Sequence, residues 1–268
     1  MTRHRPSAPH RRAPAPAPAA GSPALLLIAH GSRDARHAAT VEALVGLVRT
    51  ARPALEVATA YLDHCAPRIP QVVGRLDGRA AVAVPLLLGR AFHARSDIPA
   101  ALRAAAADLP VADVLGPSPL LLDALDRRLA EAGLDLGSAA VRARTGVVLA
   151  SAGSSDPAAN AAVRELAAEW RRTRGWAAVE TAHASAVPPH VPDAVAALRT
   201  APGVERVAVA PYLLAPGLLP DRIAAAAEAS GADLTAGVLG ASPEIATLLL
   251  RRYDLARTAT ATAPALTA

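Results

Sequence analysis

The sequence predicts an α/β protein of two similar lobes, each an open parallel sheet flanked by helices. Three observations predict it: an internal repeat, a regular alternation of short apolar runs with longer amphipathic ones, and short runs that are apolar throughout. The first copy opens LLLIAHGSRD, from Leu25 to Asp34, and the second opens VVLASAGSSD, from Val147 to Asp156. Gly31, Ser32 and Asp34 recur 122 residues later as Gly153, Ser154 and Asp156, and the same shift carries Ala60, Pro67 and Pro70 onto Ala182, Pro189 and Pro192. Further on, Pro85 in VAVPLLL matches Pro211 in VAPYLL, and Gly116-Pro117-Ser118-Pro119 matches Gly240-Ala241-Ser242-Pro243. Alanine-rich sequence imitates repeats, but it does not produce an ordered series of Gly, Pro and Asp matches.

Within the first copy the elements follow in order. Residues 24–29 form an apolar run that reads as a strand, and 34–51 read as a helix because Val41, Leu44, Val45 and Val48 recur at i, i+3, i+4 and i+7. Strands are expected at 57–61, 81–87 and 111–115, and helices at 67–76, 97–108 and 118–132. Strands without polar alternation are those of a parallel sheet covered on both faces. A βαβαβαβα order implies right-handed crossovers and an open parallel sheet, expected here in the flavodoxin-like form. The expected divisions are a Pro/Ala/Arg tail without fixed structure over 1–22, an N-terminal lobe over 23–138, a degenerate C-terminal lobe over 139–256, and an Ala/Thr tail over 257–268. The lobes join near Asp135 to Arg144.

Hydrophobic residues make up 52% of the 268, and aromatics only 2%, so the core is built of Ala, Leu and Val. All 28 basic residues are arginine. Arg3, Arg5, Arg11 and Arg12 lie in the N-terminal tail, which has no acidic residue, and without them the net charge drops from +5 to +1. A nearly neutral, aromatic-poor body argues against a nucleic-acid groove. Cys65 is the one cysteine, which rules out an internal disulfide and fits a reducing cytoplasm. No apolar run approaches the roughly 18 residues of a membrane span.

The chemistry is expected at the strand ends. His30 follows the first strand, Asp63 the second, and His93 lies in the loop after the third. In the flavodoxin-like order these three strands are neighbours, and their C-terminal ends form the crevice where ligands bind. Neighbouring strands lie about 4.8 Å apart, so three such side chains can converge on one ion. Two imidazoles and a carboxylate suit first-row metals such as Fe or Co. Taken singly, a histidine at a strand end is as easily an ordinary polar residue; the case rests on three at equivalent positions. The second copy serves as an internal control. There His30 becomes Ala152, Asp63 becomes Ser185, and Leu219 stands in place of His93, while the Gly, Pro and Asp scaffold persists. His64 and Cys65 read as incidental, and His183 and His190, in the second copy, as structural, although His183 occupies the position of Tyr61. Ala29 before His30 departs from the Arg-His-Gly of histidine phosphatases, and no GxxxxGK phosphate loop is present.

The strings IAHGSR (Ile28 to Arg33), AYLDHCAPRI (Ala60 to Ile69) and VPLLLGRAFHARSDIP (Val84 to Pro99) closely resemble the sirohydrochlorin chelatases, the class II chelatases of siroheme and cobalamin synthesis. The resemblance extends over about residues 24–255. It implies a two-lobed, chelatase-like fold. It further implies a lyase that inserts Co²⁺ or Fe²⁺ into a sirohydrochlorin-type tetrapyrrole, the metal being substrate and no cofactor being tightly bound. It assigns metal binding and the uptake of pyrrole protons to His30 and His93. Asp63 stands where the family usually has Glu, one methylene longer, and Ala91 where it tends to have Gly. Arg33, Arg90 and Arg95 flank the histidines and can pair with the substrate's carboxylates; for Arg90, as for Arg36, plain surface charge is the simpler reading. Imidazole and carboxylate do not choose between Fe²⁺ and Co²⁺. Neither nucleic acid nor membrane is an expected partner, and a monomer of two lobes can already enclose one cleft. The alternative is a non-catalytic carrier of metal or tetrapyrrole that uses the same site.

Overall fold

The computed structural model describes residues 22–89 and 97–262. The segment 90–96, with Arg90, His93 and Arg95, and nearly all of the N-terminal tail lie outside the described residues.

The first sheet holds β1 (Ala24–Ala29), β2 (Val57–Tyr61) and β3 (Ala81–Pro85) in the order β2-β1-β3, all parallel. The second holds β4 (Thr145–Ser151), β5 (Ala178–His183), β6 (Arg206–Pro211) and the two-residue β7 (Leu234–Thr235) in the order β5-β4-β6-β7. The register repeats with the sequence. Ile28 pairs with Ala60 and Pro85, and Ala150 pairs with Ala182 and Pro211. The helices are α1 (Ala35–Ala51), α2 (Ile69–Leu76), α3 (Ile98–Ala104), α4 (Pro119–Glu131), α5 (Ala139–Arg142), α6 (Pro157–Arg174), α7 (Val191–Thr200), α8 (Leu218–Ala229) and α9 (Pro243–Thr262). Helix α9 continues through residues 257–262 of the expected tail, its Thr258 hydroxyl donating to Asp254 O.

Side chains alternate across each sheet, as strand geometry requires. On the first sheet Leu26, Ile28, Ala60 and Ala83 face outward onto Ile69 and Val72 of α2 and Ile98 and Leu102 of α3. On the second, Val148, Ala150, Val207 and Val209 face outward onto α7 and α8. The inner faces of both sheets share one continuous core. In it Leu25, Leu27, Val82 and Val84 join Val147, Leu149, Ala208 and Ala210 through α1, α4, α6 and α9. The four buried positions expected of α1, namely Val41, Leu44, Val45 and Val48, are its buried residues.

The fourth helix of each copy crosses to the other lobe. Helix α9 packs on α1 and β3, α4 packs against β6, and the two crossing helices pack on each other. Polar groups lock the exchange. Tyr253 on α9 donates to Pro23 O at 2.6 Å, and Asp254 pairs with Arg52 at the end of α1 at 2.7 Å. Across the pseudo-twofold, the Trp170 indole of α6 donates to Asp126 of α4 at 2.8 Å, and Arg174, the counterpart of Arg52, pairs with Asp123 and Asp126. Arg128 donates to Leu239 O at 2.9 Å while Arg252, its counterpart 124 residues on, donates to Leu115 O at 2.9 Å.

Those last bonds explain a departure from expectation. The strand expected at 111–115 is reduced to a single bridge between Ala83 and Val111. Beyond it Leu115 N bonds Leu87 O and Leu115 O accepts from Arg252, so the chain leaves the sheet edge to enter α4. The second lobe does the same: after the short β7, Leu239 N bonds Leu213 O. Helix α3 ends at Ala104 instead of reaching 108, because Ala106 takes a left-handed φ of 52°.

Candidate active site

The shared Gly-Ser-x-Asp string builds the turn that carries His30. Ser32 Oγ accepts from Asp34 N at 3.1 Å, and Asp34 caps α1 by accepting from Arg36 N at 2.9 Å. Aspartate at an N-cap satisfies a helix amide that has no partner within the helix. Ser154 and Asp156 repeat both bonds at α6. Gly31, at φ 92°, lies so close to the β2 loop that a Cβ would come within 1.7 Å of Asp63 O. Only glycine permits both the backbone angle and that approach. Asp63 N therefore reaches His30 O at 2.8 Å, just beyond the paired strand ends.

This turn opens into a cleft of about 660 Å³ lined by His30, Gly31, Ser32, Arg33, Asp34 and His64 from the first lobe and by Leu218 and Asp221 from α8 of the second. Arg36 spans the gap, bonded to Asp34 on its own lobe and to Asp221 on the other. Both carboxylates hold the guanidinium protonated, and Arg36 in turn holds the Asp34 carboxyl below its ordinary range. Leu218 is 66% exposed, an uncovered apolar side chain opposite His30.

Of the residues expected from sequence, His30, Asp63 and Arg33 lie together at this end of the first sheet. His93 and Arg95 lie outside the described residues. The Asp63 carboxylate is already engaged: Oδ1 accepts from the His64 amide at 2.8 Å and from Arg68 Nη2 at 2.9 Å, and Oδ2 lies 3.5 Å from His64 Nε2. These hydrogen bonds, led by the amide, pull its pKa below the ordinary carboxylate value. Among the described residues no three His, Cys, Asp or Glu side chains stand together as a group able to hold a metal ion. No described helix is long and apolar enough to cross a membrane.

Two further imidazoles lie beside His30: His64, which the sequence reads as incidental, and His37, which it does not single out. His64 has a left-handed φ of 61°, and its ring lies parallel to that of His30, 5° between planes and 6.5 Å between centroids. His37, on α1, is half-buried with its ring 6.3 Å from that of Tyr61, and burial and the nearby His30 push its pKa down. The position of His64, directly after Asp63, was the available signal. Cys65 ties the two loops together, its Sγ donating to Ser32 O at 3.0 Å. In the second lobe His183 is buried with Nδ1 2.8 Å from Ser151 Oγ, and His190 Nδ1 lies 3.1 Å from His183 O, so both serve their own lobe's packing.

A family model described as CbiX matches the chain twice, over residues 24–132 and 146–256. A sirohydrochlorin ferrochelatase of Priestia megaterium is 29% identical over 212 residues, 75% of this chain and 76% of that relative. In fold, the chain is similar to SirB from Bacillus subtilis with Fe³⁺, with a TM-score of 0.75 at 21% identity over 90% of this chain and 97% of that one. A sirohydrochlorin chelatase SirB from Bacillus subtilis subspecies spizizenii in complex with cobalt gives 0.69 at 22% identity, over 87% and 94%. A CbiX described as the terminal enzyme of siroheme biosynthesis in denitrifying bacteria gives 0.65 at 23%, over 89% and 99%. The two family matches fall on the two copies of the repeat, and with both lobes accounted for the chain belongs to the CbiX family.

Proposed function

We propose that this protein is a sirohydrochlorin metal chelatase, a lyase that inserts Co²⁺ or Fe²⁺ into the macrocycle for cobalamin or siroheme synthesis. The observation that carries this reading is the cleft at the strand ends of the first sheet, with His30 on one wall and α8 of the second lobe on the other. The fused pair of lobes and the ferrochelatase relative support it.

Insertion exchanges two pyrrole N–H protons for one divalent ion: M²⁺ enters, two N–H bonds break and two protons leave, and the ion is bound by four ring nitrogens, two of them those that lost their protons. The macrocycle is broad, flat and rimmed with carboxylates. A cleft walled by two lobes suits its shape, and the exposed Leu218 gives one wall an apolar surface. Arg33 and Arg95 take substrate carboxylates, for which the planar guanidinium fork is suited. His30 and His93 hand over the metal and take up the protons, since imidazole binds first-row ions and exchanges protons near neutral pH. Asp63 is the carboxylate ligand that joins them. The protein's partners in this reading are the tetrapyrrole and the metal, and its place is the cytoplasm.

The test is the absorbance of sirohydrochlorin on adding Co²⁺ or Fe²⁺ with catalytic amounts of protein. Many turnovers are expected, and His30→Ala and His93→Ala should each cost at least a hundredfold while the far-UV circular dichroism is unchanged. Spectral change that stops at one equivalent of protein would mark a carrier, and near-normal turnover in either variant would remove these histidines from the mechanism.

A further inference from the structure

We propose that Arg36 binds a carboxylate of the macrocycle and that Asp221 is the group it releases to do so, an ion pair across the cleft being exchanged for one with the substrate. This exchange rests on the chelatase reading and deepens it, and it gives Arg36 a role beyond plain surface charge. Three observations carry it. The pair joins the two walls between which the macrocycle must enter, one edge of the guanidinium is fixed while the other holds Asp221, and the second lobe builds the same helix cap without an arginine.

Asp34 and Asp221 line opposite walls of the cleft, and Arg36 bonds both. Its Nη2 lies 2.6 Å from Asp34 Oδ2 and 2.5 Å from Asp221 Oδ2. A broad, flat ligand that enters between these walls must part them there. The two partners are held differently. Nε and Nη2 donate to Asp34, which is three-quarters buried and is itself fixed as the cap of α1. Nη1 and Nη2 donate to Asp221, whose side chain is half exposed. The first edge therefore orients the guanidinium on its own lobe. The second presents the paired N–H donors that a carboxylate takes in bidentate fashion, and Asp221 occupies the place of such a carboxylate.

The exchange costs little. An ion pair between two half-exposed side chains contributes little to stability, and the guanidinium keeps a carboxylate partner throughout. Once released, Asp221 remains in the first turn of α8, where the positive end of the helix favours it. Charge gives the exchange its direction. A ligand rimmed with carboxylates is repelled by Asp221 and attracted by Arg36, and it offers the guanidinium several partners in place of one. Leu218, exposed one turn before Asp221 on α8, then lies beside the vacated place as apolar surface for the ring.

Folding does not account for the arginine. Asp156 caps α6 by accepting from Ala158 N at 2.9 Å, as Asp34 caps α1 by accepting from Arg36 N at 2.9 Å. Ala158 stands at the place of Arg36, so the cap needs the amide and not the guanidinium. What the side chain of Arg36 adds is its reach to the other wall.

The test is binding of metal-free sirohydrochlorin to the full chain, read by the change in its absorbance, in the parent, Arg36→Ala, Asp221→Asn and the double variant. Ala158 shows that alanine is accommodated at this cap, and circular dichroism checks the fold. Arg36→Ala should raise the Kd at least tenfold. Asp221→Asn should lower it about three- to tenfold, because the second edge of Arg36 is then open to the substrate, and should change it less than twofold once Arg36 is gone. An unchanged Kd in Arg36→Ala overturns the proposal. So does weaker binding by Asp221→Asn, which would make the bridge part of the binding-competent form. An equal gain from Asp221→Asn in both backgrounds overturns it too, since that is a general effect of charge. Insertion assays separate the two levels. If the parent turns over while any of these three results holds, the chelatase reading stands and only the exchange at Arg36 falls. A parent that neither binds nor metallates sirohydrochlorin loses the chelatase reading, and the exchange with it.

Discussion

At the end of β1 the chain runs Ala29-His30-Gly31, and at the end of β4 it runs Ser151-Ala152-Gly153 through the same turn. Gly153, at φ 83°, approaches Ser185 O as Gly31 approaches Asp63 O, and Ser154 and Asp156 cap α6 as Ser32 and Asp34 cap α1. The backbones agree and the side chains do different work. In the first lobe the imidazole lies at the mouth of a cleft. In the second, His183 is folded inward onto Ser151, and Asn160 pins the following loop by bonding both N and O of Ser154. The shared string is thus a scaffold that can hold either an imidazole lining a cleft or a packed strand end. What distinguishes the two lobes is the residue placed on the turn, not the turn.

Cutting the chain at 138/139, the boundary expected from the repeat, is the harshest way to break this comparison. Each fragment would keep its own sheet yet lose the helix that covers the sheet's inner face, and would carry a helix meant for the other. The fragment of residues 22–138 would expose apolar surface now covered by Leu249 and Tyr253 of α9. Neither fragment should form a cooperatively unfolding monomer, and mixing the two should restore one compact species with insertion activity. Size-exclusion chromatography with thermal unfolding checks it. A monomeric, cooperative first fragment would mean that the exchanged helices are dispensable.

A smaller and more pointed perturbation uses the two equivalent glycines. Alanine at Gly31 would set Cβ 1.7 Å from Asp63 O, and at Gly153 2.2 Å from Ser185 O, both at positive φ. Each substitution should destabilise the protein by on the order of 2 kcal/mol or more, from backbone strain and displacement of the facing loop. Their effects on insertion should differ. Gly31→Ala pushes the Asp63–His64 loop away from His30, and turnover per folded molecule should fall at least tenfold. Gly153→Ala should leave it near the parent value. Urea unfolding paired with single-turnover insertion reads both quantities, and equal loss of activity in the two variants would show that the second lobe's strand ends take part in the chemistry.

The sheets and the main helices were legible in the sequence because their signal is local. The β1, β2 and α1 boundaries follow from uninterrupted apolar runs and from the spacing of Val41, Leu44, Val45 and Val48. That the strands are parallel follows from alternation with helices, the order β2-β1-β3 is one of the doubly wound orders such alternation allows, and the position of His30 follows from its place after the first run. The exchange of α4 and α9 was not legible. An apolar face such as Leu121, Leu122, Leu125 and Leu129 has the same periodicity whichever sheet it covers. The cleft's second wall was hidden for a similar reason, since Leu218 and Asp221 reach the site only through the arrangement of the lobes. His64 reads as incidental in the sequence, and its place in the cleft was not legible there, because no residue pattern announces a left-handed backbone angle for a histidine.

The gentlest probe of the comparison is pH. Burial, aided by Arg164 and His190, lowers the His183 pKa below the ordinary 6.5. His37 is lowered too, by its burial and by His30. A proton then binds the unfolded chain more readily than the folded one. Stability is therefore full above pH 6.5 and is lost as pH falls from 6.5 through the depressed folded values. The carboxylates held low by their partners, Asp34, Asp63, Asp254 and Glu244, have ordinary values of 3.8 to 4.5, so their loss begins at more acid pH than that of the histidines. His183→Gln keeps a hydrogen-bond partner for Ser151 and removes the titration. It should make stability between pH 6.5 and 5 less steep in pH, leaving the share due to His37, and it should not alter insertion at neutral pH. Urea unfolding at half-unit pH intervals measures the slope. If the slope is the same with glutamine at 183, the second lobe's histidine is protonated freely within the fold, and its burial against Ser151 does not set its titration.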